Sequence, residues 1–193
     1  MGAVQLMPPD VKIGMLPFTG ARLELLARQM LIDVATNTSV SKRKYNAAGL
    51  KQPVDKITRK DSRFWDDIDQ HPYKQLLFPH IAAFAADYIG TTPDALTPDT
   101  TRAVPVIYEK GKGLDWHTHD SAQIVTSVTL MGAGWVHFRD GSEVPTTPGM
   151  MMAIGRYTEH MVPVYEGTQD YRVVIATNFL DERDMKDRVS LNS

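Results

Sequence analysis

Residues 123–139 read Gln-Ile-Val-Thr-Ser-Val-Thr-Leu-Met-Gly-Ala-Gly-Trp-Val-His-Phe-Arg. Residues 123–130 are rich in β-branched side chains, and 134–139 carry two aromatics and a valine. Met131-Gly-Ala-Gly134 between them is a turn signal, so the stretch predicts two short strands joined by a tight connection. The same alternation of short apolar runs and turns extends on both sides. Further strands are expected at 104–108, 150–154, 160–164 and 171–179. They are separated by Glu109-Lys-Gly-Lys-Gly113, Arg139-Asp-Gly-Ser142, Thr147-Pro-Gly149 and Tyr165-Glu-Gly-Thr168. Many short strands at this spacing imply a β-barrel or sandwich in the second half of the chain.

The first half has a different period. Leu23, Leu26, Ala27, Met30, Leu31 and Val34 recur every three or four residues and predict an amphipathic helix over 21–36. A second helix is expected over 73–89, with Leu77, Ile81, Phe84, Ala85 and Tyr88 on one face. Pro79 should start or kink it, and Gly90 should cap it. Residues 1–18 read as an extended, proline-containing lead-in, and 91–102 as a linker. Residues 40–63 hold Lys42, Arg43, Lys44, Lys51, Lys56, Arg59, Lys60 and Arg63 against Asp55 and Asp61. Gly49 and Pro53 interrupt them, so this stretch is expected to be a loop or a set of short turns. It could contact an acidic carrier protein or nucleic acid, or close as a lid over the barrel, but a solvated loop is the simpler reading. The expected organisation is one α+β domain over 1–193: a helical region at 1–99, a barrel at 100–180 and a polar tail at 181–193.

Composition narrows the chemistry. The chain has 193 residues, 42% of them hydrophobic, and a formal charge of −2, so nothing draws it globally to nucleic acid or anionic membrane. There is no cysteine, which excludes disulfides, thiolate metal sites and cysteine nucleophiles. Any metal must be held by imidazole and oxygen ligands. The N-terminus lacks a basic start followed by an apolar run, and no stretch has the length of uncharged apolar chain needed to span a bilayer. The default expectation is cytoplasmic. The sequon Asn37-Thr-Ser39 has no meaning without secretion. Gly132-x-Gly134 is a turn rather than a nucleotide loop, since no helix follows it.

Trp116-His-Thr-His-Asp120 carries the most specific signal. Alternate residues of a strand share a face, so His117 and His119 are expected on one strand, both reaching one ion. His160, at the start of a later strand, supplies a third point of a facial grip with open positions. Ligand type alone leaves Fe, Zn, Cu and Ni open. His71 is expected in a turn, His80 packed near a helix face, and His137 in a structural role, with an inward-facing barrel position as its alternative. Arg172, in Tyr171-Arg-Val-Val-Ile-Ala-Thr-Asn-Phe179, is a cation in an apolar strand. It either points outward or forms an ion pair, or else faces inward and binds a carboxylate in two-point fashion.

Tyr108-Glu-Lys-Gly111, His117-x-His119, Pro148-Gly149, His160 and Arg172 follow in an order that resembles the Fe(II)/2-oxoglutarate-dependent oxygenases. The resemblance covers roughly residues 103–180. It implies a double-stranded β-helix (a jelly-roll, cupin-like barrel), preceded by N-terminal helices packed on it. It also implies Fe(II) on His117, His119 and His160, and 2-oxoglutarate held by Arg172 and Tyr108. The activity implied is oxidation of a C–H bond with dioxygen, releasing succinate and CO2. The usual family motif is His-x-Asp, and His-x-His resembles a variant subgroup in which three neutral imidazoles leave the ion its full charge. A second resemblance is to the cupins. Gly111, His117-x-His119 and Gln123 are similar to their first motif, with Gln123 as a fourth ligand, and a small organic substrate would bind the metal without 2-oxoglutarate. A non-catalytic metal-binding barrel is the third reading. The expected partners are a small-molecule or carrier-linked substrate and, through strand edges, a second copy in a homodimer. Trp116, Trp135, Phe138, Met150–Met152 and Tyr157 could line an apolar pocket, although core packing accounts for most of them.

Overall fold

A computed structural model of the chain describes residues 10–36, 40–45, 54–59, 73–98, 104–119 and 122–180. The polar tail 181–193, His71, Asp120 and the greater part of the basic stretch 42–63 lie outside the described residues. In chain order the elements are β1 (Val11–Met15), α1 (Gly20–Thr36), β2 (Val40–Tyr45), β3 (Val54–Arg59), α2 (Phe78–Ile89) and β4 (Thr97–Pro98). There follow β5 (Val104–Glu109), β6 (Leu114–His117), β7 (Ile124–Met131), β8 (Gly134–Phe138), β9 (Glu143–Thr146), β10 (Met150–Gly155), β11 (His160–Val162) and β12 (Tyr171–Leu180).

From β5 onward the strands are shared between two antiparallel sheets. The larger runs β1-β10-β7-β12-β4, with β5 also on β12, and the smaller runs β6-β11-β8-β9. Strands β5, β7, β10 and β12 thus belong to one sheet and β6, β8, β9 and β11 to the other. This is the expected double-stranded β-helix, with β1 and β4 extending the larger sheet. Side-chain alternation sorts the core into two layers. Val173, Ile175 and Phe179 of β12 pack outward against Leu23, Ala27 and Met30 of α1 and Ile81 and Ala85 of α2. Val174 faces the other way, into a second cluster between the sheets with Val106, Val136, Phe138, Met152 and Val162. Phe179 is fully buried, so truncating it to Ala would cost about 3–5 kcal/mol. The α+β class is therefore as expected, with the helices layered on the outer face of the larger sheet.

Helix α2 starts with Pro79 in its first turn, where a missing N–H costs nothing, after a single π-helical turn over Tyr73–Leu77. It ends at Gly90, whose φ of 79° is the left-handed cap that glycine adopts freely. Residues 40–63 depart from expectation. Instead of only loop, they contain an antiparallel β2–β3 ribbon that runs from Val40↔Arg59 to Tyr45↔Val54. Val40, Tyr45, Val54, Ile57 and Thr58 have the β-favouring side chains that the charge density of the stretch obscured, and Gly49 and Pro53 fall in the segment that joins the strands. The lead-in contains β1, an edge strand registered on β10, and the linker contains a 3-10 turn and β4.

Candidate metal centre

His117 is the last residue of β6, and His160 is the first of β11. The two are direct cross-strand partners, so the ladder itself sets their rings side by side, with centroids 4.3 Å apart. His119 does not share the strand with His117 as expected, because β6 ends at His117. The chain turns there, and the His119 N–H donates to the Arg156 carbonyl in the β10–β11 connection (3.1 Å). That bend brings the His119 ring centroid to 5.0 Å from His117 and 5.1 Å from His160. One ligand atom from each ring falls within 4.8 Å of the others. His160 is buried and the other two are half-buried.

Hydrogen bonds fix which nitrogens face the cluster. The Nδ1–H of His117 donates to the Asp115 carbonyl (2.7 Å), and that of His160 to the Thr158 carbonyl (2.9 Å). A carbonyl only accepts, so in both rings the proton sits on Nδ1 and Nε2 carries the metal-binding lone pair. Nε2 of His119 and Nε2 of His160 are 3.3 Å apart. Two imidazole nitrogens on one first-row ion, each about 2.0–2.1 Å from it, stand about 2.8–3.0 Å apart as octahedral neighbours and about 3.3–3.4 Å apart in tetrahedral geometry. His119 and His160 are therefore spaced as two ligands of one divalent transition ion, and His117 offers a third ligand atom within 4.8 Å of both. Among the described residues no carboxylate belongs to it. Trp116, next to His117, lies under the Arg139 guanidinium (4.3 Å), which also pairs with Glu159 at 2.9 Å.

Arg172 faces into the barrel. It is 2% exposed and sits directly across from Tyr108 on β5, its guanidinium carbon 5.3 Å from the tyrosine ring centroid. Its Nη2 donates to Thr146 Oγ1 (2.8 Å), while Nε and Nη1 have no hydrogen-bond partner. Burial pushes its pKa below the usual guanidinium value, opposed by the nearby Tyr108 and Tyr165 hydroxyls. Burial also raises the Tyr108 pKa, and Arg172 partly offsets this. A buried cation with two idle donors is costly unless an anion completes it. Gly134 makes room for the group: a Cβ there would lie 3.1 Å from Arg172 Nε and 3.2 Å from its Cζ.

Thr146, Tyr165 and Gly134 were not singled out from the sequence. Thr146 is legible only through the period of β9, a strand too short and proline-interrupted to read; Tyr165 sits in the loop after β11, and Gly134 is the first residue of β8, where it reads as the end of a turn. Gln123 is half-buried just before β7, where its backbone N–H donates to the Phe179 carbonyl (2.8 Å). His80 stacks edge-on against Phe18 (5.3 Å). His137 Nε2 lies 3.5 Å from a Glu143 carboxylate oxygen, its direct partner across the β8–β9 ladder. Of the apolar pocket candidates, Phe138, Met150 and Met152 are core, whereas Tyr157 and Trp135 are exposed.

The sequence matches no family model and no curated protein. Its fold is nonetheless shared with solved structures. AviO1 from Streptomyces viridochromogenes Tue57 superposes with a TM-score of 0.60 at 17% identity, over 90% of both chains. The non-heme alpha ketoglutarate dependent epimerase SnoN from nogalamycin biosynthesis gives 0.61 at 12% identity, over 89% of this chain and 78% of that one. The non-heme alpha ketoglutarate dependent carbocyclase SnoK, from the same biosynthesis, gives 0.58 at 11%, over 89% and 79%. At these identities the likeness is one of fold. Among the described residues no helix is long and apolar enough to cross a membrane.

Proposed function

We propose that the chain is an Fe(II)- and 2-oxoglutarate-dependent oxygenase acting on a small-molecule or carrier-linked substrate. The observation that carries this reading is Arg172. It is a buried guanidinium with two idle donors, facing into the same barrel as three converging imidazoles. In this reading His117, His119 and His160 hold the iron. Bound iron and 2-oxoglutarate together supply an oxidant of C–H bonds made from dioxygen, with succinate and CO2 released. Arg172 binds the far carboxylate through Nε and Nη1, Thr146 holds the guanidinium in place, and the Tyr108 hydroxyl donates to the same carboxylate. The carbonyls of Asp115 and Thr158 keep two imidazoles in the ligating tautomer.

The metal cluster and Arg172 lie toward opposite ends of β8. Gly134, beside the guanidinium, and Phe138, opposite His160, are four residues apart on β8, about 13 Å along the strand. A ligand that meets both groups would be anionic at the Arg172 end. Succinate formation from 2-oxoglutarate by the iron-loaded protein tests the reading. It should be lost in Arg172→Leu, and unchanged turnover in that variant would sink the assignment.

One observation favours a second reading, a cupin-type metalloenzyme that binds its substrate directly. The described cluster holds three imidazoles and no carboxylate, a set that a neutral Gln123 could complete. Loss of metal in Gln123→Ala, with metal retained and activity tolerated in Arg172→Leu, would select it.

A further inference from the structure

Strand β1 forms one edge of the larger sheet, and among the described residues it pairs only with β10. Two hydrogen bonds at its ends show where its peptide groups point. The Gly155 N–H donates to the Asp10 carbonyl (3.0 Å), and the Leu16 N–H to the Gly149 carbonyl (2.8 Å). In this antiparallel register Asp10, Lys12, Gly14 and Leu16 turn their peptide groups toward β10. Val11, Ile13 and Met15 turn theirs outward. Edge strands are ordinarily blunted by proline or by unpaired charge. β1 has no proline, and its one charge, Lys12, pairs with Asp87 of α2 and lies over the Phe84 ring. Ile13 and Met15 are large apolar side chains, yet 42% and 61% exposed. They share the sheet face of Val11, which is buried in the cluster between the sheets.

We propose that β1 pairs antiparallel with β1 of a second copy of this chain, about a two-fold axis at Ile13, so that the larger sheet continues from one barrel into the next. The strand complements itself in that register. Ile13 stands opposite Ile13 of the second copy, Val11 opposite Met15, and Lys12 opposite Gly14. Every outward-turned residue then meets an outward-turned residue and exchanges both N–H···O bonds with it. The exposed Ile13 and Met15 are covered by apolar side chains. Each lysine faces a glycine and keeps its own Asp87, so no like charges stand opposite each other. A register centred on Lys12 would set lysine against lysine, and one centred on Gly14 would leave Val11 unpaired. The contact uses the same patch on both copies and therefore closes at a dimer. It needs neither metal nor 2-oxoglutarate, so its test is independent of the oxygenase reading.

Sedimentation velocity of the full chain over a concentration series tests this, and a dimer is expected. Ile13→Lys sets two lysines face to face at the axis. It should raise the dimer dissociation constant at least about tenfold and leave the circular dichroism of the fold unchanged. An equimolar mixture of Ile13→Lys and Ile13→Glu chains should restore the dimer, because residue 13 faces itself only in this register. Met15→Lys, at the more exposed position, should weaken the dimer in the same way if Ile13→Lys fails to fold. The chain has no cysteine, so an introduced one reports cleanly. Ile13→Cys should oxidise to a disulfide between copies, since Cα atoms of a hydrogen-bonded antiparallel pair lie about 5.5 Å apart. Leu25→Cys, 70% exposed on α1, should not. A monomeric parent would overturn the proposal and leave the edge to a strand of another protein. An undiminished dimer in both lysine variants, or a mixture that stays monomeric, would overturn it as well.

Discussion

Arg172 and Tyr108 face each other across the β5–β12 pair, guanidinium carbon 5.3 Å from ring centroid, both buried between the sheets. The ring face stabilises the cation only in part, and Nε and Nη1 are left for something else. A group so placed is a cost to the fold and a resource for binding.

That trade-off is measurable. Arg172→Met removes the unpaired charge and keeps most of the packed stem, so it should be as stable as the parent or more stable by about 1–3 kcal/mol. Urea unfolding of the ligand-free proteins checks this. A loss above about 2 kcal/mol would mean that Arg172 is a structural partner rather than a binding group.

Tyr108 links stability to alkaline pH. Its folded pKa lies above the ordinary value of 10.0 because burial penalises the phenolate. Above pH 10 the unfolded chain releases this proton while the folded chain keeps it. Stability contributed by the neutral tyrosine is thus fully present below about pH 10 and lost as pH rises through the folded pKa. Tyr88, raised by burial and by Asp10, acts in the same direction. Melting temperatures measured from pH 9 to 11 should fall less steeply in Tyr108→Phe than in the parent, and identical slopes would contradict the assigned environment.

Gly113 bears on the metal site from a distance. A Cβ there would sit 2.7 Å from the Val162 carbonyl oxygen and 2.9 Å from the Pro163 carbonyl carbon, both backbone. Gly113→Ala should therefore push β6 from β11, cost about 1–3 kcal/mol, and misalign His117 against His160. Metal affinity should fall along with stability. Unchanged metal affinity would show that the His117–His160 register tolerates the shift.

Metal binding itself should report through stability. An ion present at 100 times its dissociation constant stabilises the folded state by about 2.7 kcal/mol. The parent should show a clear rise in melting temperature with Fe(II) or Ni(II), and His160→Ala should show almost none. Equal rises would place the ion elsewhere.

Much of this was legible in the sequence, and the failures have physical reasons. The shift from a period near 3.6 to one near 2 after residue 103 locates the barrel, and the three histidines of a cysteine-free chain that the sequence singles out do come together in the structure. His119 lies beyond the strand that alternation predicts for it, because strict alternation assumes that a strand continues, whereas β6 ends at His117. The β2–β3 ribbon is hard to read because charge density dominates a composition that also holds β-favouring residues such as Val40, Val54 and Ile57. Thr146 and Tyr165 come beside Arg172 only through tertiary placement, and no local pattern encodes that. Which face of β12 carries Arg172 was left open by the sequence, since an arginine in an apolar strand reads equally well as outward. Its inward orientation is what the structure adds.

The most direct test of the central claim is an anaerobic titration of the Fe(II)-loaded protein with 2-oxoglutarate, following the visible metal-to-ligand charge-transfer band of the chelate. A saturable band is expected, and it should be lost in Arg172→Leu although Fe(II) is still bound. Tight Fe(II) binding with no band in the parent protein, or a band of equal affinity in Arg172→Leu, would contradict it.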